Sequence, residues 1–235
     1  MPKVGGGVRW LTRLDPADEA AYQAAVTPLV GRIERSLGRQ VLSTRATIDR
    51  RGWALAPWRP ARTVWRSTIA AAIAAAPRGS TFLVTDVRDC YGSIVPRTIG
   101  SLVGPTASAV VALLERLHDA GVCGLPIGPP ASAVLANALL ARLDAALRSP
   151  GVRHVRWVDD VVAWGPRADV LRAMRSLQMA ARSIGLELNE AKTFVLDAPD
   201  DVRAVARSHA PSPGGKRPPA IIAAPCGPCT EPRAS

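Results

Sequence analysis

Apolar residues return at helical spacing through Tyr22, Val26, Leu29, Val30 and Ile33, which predicts an amphipathic helix running to about Leu37. Its start is marked by Asp15-Pro16-Ala17-Asp18: an acid at the N-cap, proline at the first helical position and a second acid in the first turn. Residues 38–60 hold neither period and read as a short, basic, irregular stretch before a second helix over 61–76. "TFLVTDV" (81–87) is a compact β-branched run and predicts a strand. Helical spacing resumes over 96–103 and 106–119, then in a long apolar helix over 130–148. Two apolar runs, 155–158 and 161–164, predict a hairpin. Over 166–185, Val170, Leu171, Met174, Leu177 and Ile184 share a face opposite Arg167, Arg175 and Arg182, and "KTFVL" (192–196) supplies a last strand. The order from residue 81 is β, α, β, β, α, β, the split βαβ arrangement of a ferredoxin-like sheet in an α+β fold. Three regions follow: a basic, mostly helical 1–80, a sheet domain over 81–198, and a Pro/Gly-rich tail over 199–235 expected to be flexible.

The hairpin breaks its own pattern. Asp159 and Asp160 sit side by side between the two apolar runs. Burying one carboxylate is costly, and a second beside it adds repulsion. In the predicted sheet the first strand neighbours the hairpin and ends in Asp86, so a third carboxylate converges on the pair. Three such groups at one sheet end call for a divalent cation. Hard oxygen ligands with bound waters suit magnesium, with manganese as a substitute. Two ions about 3.5–4 Å apart are the usual arrangement for in-line transfer at a phosphate.

Charge adds a partner to that chemistry. The chain has 30 Lys+Arg against 19 Asp+Glu, a net charge of +11, and only three lysines, Lys3, Lys192 and Lys216. Arginine's planar fork matches phosphate, so the balance leans towards nucleic acid, and a GC-rich coding bias accounts equally well for the Arg-over-Lys preference but not for the charge. Trp53, Trp58 and Trp65 interleave with Arg51, Arg59, Arg62 and Arg66, a mixture that serves either to clamp a single strand or to pack an amphipathic helix. No apolar run approaches the roughly 18 residues that span a bilayer, so no membrane partner is expected. With no leader and no disulfide framework among Cys90, Cys123, Cys226 and Cys229, a reduced, cytoplasmic protein is the expectation.

Four segments carry a resemblance. "TDVRDCYGSI" (85–94), "GLPIGPPASAVLANALLARLD" (124–144), "WVDD" (157–160) and "GLELNEAKTFVL" (185–196) are similar, in order and spacing, to the palm motifs of reverse transcriptases of the bacterial and group II intron type. They cover about half the chain. The resemblance implies a right-hand polymerase with fingers and a ferredoxin-like βαββαβ palm, adding deoxynucleotides to a DNA or RNA primer on an RNA template. Asp86 and Asp159 would hold two magnesium ions with the carbonyl of Val87, and Asp160 would support them. Tyr91 falls where the family places its steric gate against a 2′-hydroxyl. "GLPIG" would form the turn under the incoming nucleotide, with Gly128 allowing close backbone approach and Ile127 standing where the family usually has Gln. Trp157 stands near the primer end in place of the usual Tyr or Phe. Lys192 matches the lysine beside the leaving pyrophosphate, a general acid. Arg51, with Arg50, is the best candidate for gripping the triphosphate. The family's thumb has no counterpart in the tail, so a partner chain is expected to supply primer grip. An RNA-directed RNA polymerase and a non-catalytic nucleic-acid-binding palm subunit remain alternatives.

"CGPC" (226–229) copies a redox dithiol but lacks the strand before it and the helix after it. His118 and His154 show no partner in the sequence.

Overall fold

The computed structural model describes residues 11–148 and 151–209. It is a mixed structure of helices and two antiparallel sheets. Helix α1 (Pro16–Ser36) starts as its sequence signals, with the Asp15 carboxylate accepting from the Ala17 N–H at 2.9 Å, and buries Tyr22, Val26, Leu29, Val30 and Ile33. The stretch expected to be irregular holds a hairpin instead: β1 (Ala46–Asp49) pairs with β2 (Gly52–Leu55) around Arg50-Arg51. Each strand has four residues and little buried surface, so no apolar period announces it. Helix α2 (Trp58–Ala75) follows.

Strand β3 (Ser80–Thr85) leads to the short α3 (Cys90–Ser93), α4 (Pro96–Val103), a 3₁₀ turn and α5 (Ser108–Asp119). The long α6 (Pro130–Ala146) is buried almost all round, which is why its apolar residues show no stripe. Strands β4 (Arg153–Trp157) and β5 (Asp160–Pro166) make the expected hairpin; α7 (Arg167–Ser183) and β6 (Phe194–Leu196) complete the series. Part of the expected tail is ordered: α8 (Pro199–His209) buries Val202 completely, opened by Pro199 with Asp200 and Asp201 in its first turn. The rest of the tail, with "CGPC", lies outside the described residues.

The larger sheet has the order β4-β5-β3-β6, every neighbouring pair antiparallel. Its two faces are packed differently. Leu83, Val161 and Ala163 join the main core with α1, α6 and α7. Phe82, Val84, Val155, Trp157, Val162 and Trp164 form a second cluster with Trp65, Ile69 and Ile73 of α2 and with Val202. No helix among the described residues is long and apolar enough to cross a membrane. Cys90 is a buried free thiol.

Candidate functional site

Register brings the acidic residues to one sheet end. β3 and β5 pair through Thr85 and Val161, so the next level holds Asp86 and Asp160. β4 and β5 close at Trp157 and Asp160, leaving Val158 and Asp159 as the bend. Asp86 is 5% exposed; its carbonyl accepts from the Asn189 N–H at 2.9 Å and its Oδ2 from the Lys192 ammonium at 2.5 Å. Its other oxygen, Oδ1, is buried without a hydrogen-bond partner among the described residues. Burial alone would lower the Lys192 pKa, but the Asp86 hydrogen bond and the charges of Asp86, Asp160 and Asp159 hold it above its ordinary value. Burial, and then Asp159, pushes the Cys90 thiol well up. The three carboxylates and Lys192 therefore share one field.

The donor set fits a hard divalent cation: a buried carboxylate oxygen lacking a partner among the described residues, with two more carboxylates at the same edge. It is not a ready-made cage. Among the described residues no three His, Cys, Asp or Glu side chains are grouped closely enough to hold a metal, and Lys192 supplies the counter-charge to Asp86.

The bend is fixed from beneath by Ser43 and Arg156, which lie outside the four motif segments, together with Asn137 and Asp144 of the second segment. Val158 has φ +54°, left-handed backbone that a β-branched residue rarely adopts. Its N–H donates to Ser43 Oγ at 2.8 Å, and its carbonyl accepts from Arg156 Nη1 at 2.7 Å. Arg156 is wholly buried, its guanidinium forked onto Asp144 (Nε–Oδ1 3.0 Å, Nη2–Oδ2 2.8 Å), with Nη1 also reaching Asn137 Oδ1 at 2.9 Å. Asn137 in turn donates to the carbonyl and hydroxyl of Thr44, itself at φ +52°. His154 packs beside the same carboxylate, its Nε2 3.5 Å from Asp144 Oδ1 but outside hydrogen-bond geometry. A charged residue inside an otherwise apolar strand was the available signal for Arg156.

The remaining predicted residues scatter. Tyr91 is half-buried beside the core, and its carbonyl accepts from the Leu125 N–H at 2.8 Å, so the "GLPIG" turn lies directly against it. Close approach falls at Gly124, not Gly128. A Cβ on Gly124 (φ +65°) would stand 2.1 Å from the Tyr91 carbonyl oxygen, whereas one on Gly128 (φ +135°) would meet only Thr12 at 3.6 Å. Ile127 is tied to Thr12 twice: its carbonyl accepts from the Thr12 N–H at 2.9 Å and its N–H donates to the Thr12 side-chain Oγ1 at 3.1 Å. Val87 is buried, bridged to Leu188. Arg51 is exposed at the tip of the β1–β2 hairpin, in the smaller sheet. Trp157 is only 6% exposed, and its ring centroid lies 6.3 Å from that of Trp65, so the two large apolar rings pack together.

No family model matches the chain, and no curated protein does. Among solved structures it is similar to telomerase from Candida albicans in complex with a TWJ fragment of telomeric RNA, at 12% identity and a TM-score of 0.42 over 77% of this chain and 34% of that one. Telomerase from Candida tropicalis with such a fragment gives 10%, 0.44, 75% and 33%. The apo Candida tropicalis protein truncated from its C-terminal domain gives 10%, 0.43, 79% and 44%. The chain thus spans less than half the length of these structures. At such scores the likeness adds nothing to what the site geometry says.

Proposed function

We propose that the chain is a reverse-transcriptase-like nucleotidyltransferase that adds deoxynucleotides to a primer 3′-hydroxyl on an RNA template. One observation carries the reading: the buried Oδ1 of Asp86, without a hydrogen-bond partner among the described residues, at the same sheet end as Asp159-Asp160. The strand order supports it, since β4-β5-β3-β6 with α6 and α7 as the connecting helices is the order of a split βαββαβ palm.

Asp86 and Asp159, with the Val87 carbonyl, would hold two magnesium or manganese ions, and Asp160 would support them; bound there, the ions would supply charge neutralisation at the phosphate and activation of the primer hydroxyl. The chain's own residues do the rest. Lys192, protonated and anchored at the acidic edge, is placed to give its proton to the departing pyrophosphate. Tyr91, backed by the Gly124 turn, excludes a 2′-hydroxyl. Gly128 and Ile127 border the nucleotide, and Arg51 reaches its triphosphate from the hairpin tip. A partner chain supplies primer grip.

Primer extension by the purified chain, with each nucleotide set and magnesium, tests this. Asp159→Ala should abolish synthesis and leave strand binding near wild type; extension at the wild-type rate would remove the proposal. Preference for ribonucleotides would instead mark an RNA-directed RNA polymerase. Lys192 seated on Asp86 and Trp157 packed against Trp65 favour a second reading, a non-catalytic nucleic-acid-binding subunit. That reading expects salt-sensitive binding and no synthesis on any template.

A further inference from the structure

Helix α2 carries an unanswered cation. Arg62 is 7% exposed, and its Nε and Nη1 are buried with no hydrogen-bond partner among the described residues. A guanidinium taken from water without an acceptor is costly, and burial together with Arg66 lowers its pKa. Arg62 lines a hollow of about 170 Å³ whose other walls are Trp58, Arg59, Thr63 and Arg66. Three arginines thus share one helix face three and four residues apart, where like charges repel. No Asp or Glu occurs in α2, and its N-terminus, which has no side-chain cap, adds the positive end of the helix dipole. The charged residues lining the hollow, Arg59, Arg62 and Arg66, are all cations.

Trp58 specifies the anion further. It is 48% exposed, with the Arg59 guanidinium over its ring at 5.7 Å. An open indole beside a phosphate-sized cationic hollow suits a base attached to its phosphate.

We propose that the Trp58–Arg59–Arg62–Arg66 surface of α2 binds a backbone phosphate and the adjoining base of a single nucleic-acid strand. The proposal deepens the polymerase reading and rests on it only for which strand is bound; the site itself stands on α2's own side chains.

Fluorescence anisotropy of a labelled dodecamer of uridine RNA, titrated with the full chain in EDTA over a salt series, tests it. Arg62→Met should weaken binding about tenfold and reduce the salt slope by about one. Its thermal midpoint should equal or exceed wild type, because an unpartnered cation has been removed, whereas a merely structural arginine would lower it. Trp58→Ala, at an exposed position that folding does not depend on, should weaken binding about tenfold with the slope kept. Arg203→Gln on α8 serves as a control and should leave both unchanged. Wild-type affinity and slope in both α2 variants overturn the proposal. So does displacement of the RNA from wild type by phosphatidylserine vesicles whose own binding depends on Arg62, which assigns the hollow to lipid. EDTA separates the two readings. Normal binding by Arg62→Met with extension lost in Asp159→Ala removes this proposal alone; the converse removes only the polymerase.

Discussion

Replacing Arg156 by methionine isolates the buried network under the carboxylate bend. Methionine keeps most of the apolar stem and removes the charge. It leaves the Asp144 carboxylate, 1% exposed, with only His154 Nε2 at 3.5 Å, and it strips a donor from Asn137 Oδ1 and from the Val158 carbonyl. Breaking a buried pair from one side costs about 3–5 kcal/mol, and each abandoned neutral acceptor adds about 1 kcal/mol. The expected loss of about 5–7 kcal/mol is a large part of the roughly 5–15 kcal/mol that holds a domain folded. Replacing both partners, Arg156→Met with Asp144→Leu, removes the stranded charge and should cost less than about 2 kcal/mol, far below the sum of the two single losses, since Asp144→Leu alone strands the Arg156 guanidinium at about 3–5 kcal/mol. Urea unfolding followed by circular dichroism, with equal slopes required, measures all three variants. A single variant costing under about 1.5 kcal/mol, or a double variant costing the sum of the singles, would refute the argument. Function should separate from stability: the stable double variant still lacks the Arg156 hold on Val158, so its primer extension should fall at least about tenfold. Full extension by that variant would reduce the network to packing.

Gly124→Ala should cost more than about 2 kcal/mol, because strain at φ +65° is joined by a clash with the Tyr91 carbonyl, whereas Gly121→Ala at φ +89° in open space should cost about 1 kcal/mol; equal losses by urea unfolding would deny the close approach. Ser43→Ala removes the acceptor from the Val158 N–H and should cost about 1–3 kcal/mol, with faster hydrogen exchange at that amide as the local check. Burial alone would raise the Asp144 pKa, but its pairing with His154 and Arg156 holds it below the ordinary carboxylate value. A depressed folded value gives stability that is complete above about pH 4 and is lost as pH falls through the folded value. The stability gap between wild type and the double variant should therefore narrow between pH 6 and pH 3; an unchanged gap would contradict the ion pair.

Elements with a clear apolar period or a long apolar run were legible: α1, α6, α7 and the β4–β5 hairpin all stand within a few residues of their expected positions. The β1–β2 hairpin was not, because its strands expose most of their residues and are held by pairing and by ties to α1, such as the Trp53 indole on Thr27. α8 was hidden by the Pro/Gly-rich composition beyond it, although Pro199, Asp200 and Asp201 are ordinary helix-start signals. At the site, the acidic residues could be placed because strand order fixes neighbours. Their immediate environment could not. Lys192 reaches Asp86 across 106 residues of sequence, and Arg156 finds Asp144 on a preceding helix. Such partners are set by packing, which pattern does not encode.

The bend itself shows what that packing achieves. A two-residue hairpin that served only to join strands would take Asn-Gly, which adopts left-handed backbone freely. This chain places valine there, and a threonine at φ +52° in the segment that supports it. Each such residue costs of order 1–3 kcal/mol and persists only where its surroundings fix it. Both strained residues are fixed by the same buried groups: Asn137 binds Thr44 twice, Arg156 binds Asn137 and the Val158 carbonyl, and Ser43 takes the Val158 N–H. Closing a sheet requires none of this. Strain held by a buried charge network, one residue before Asp159, ties the least relaxed backbone of the sheet to the edge that holds Asp86, whose Oδ1 has no hydrogen-bond partner among the described residues.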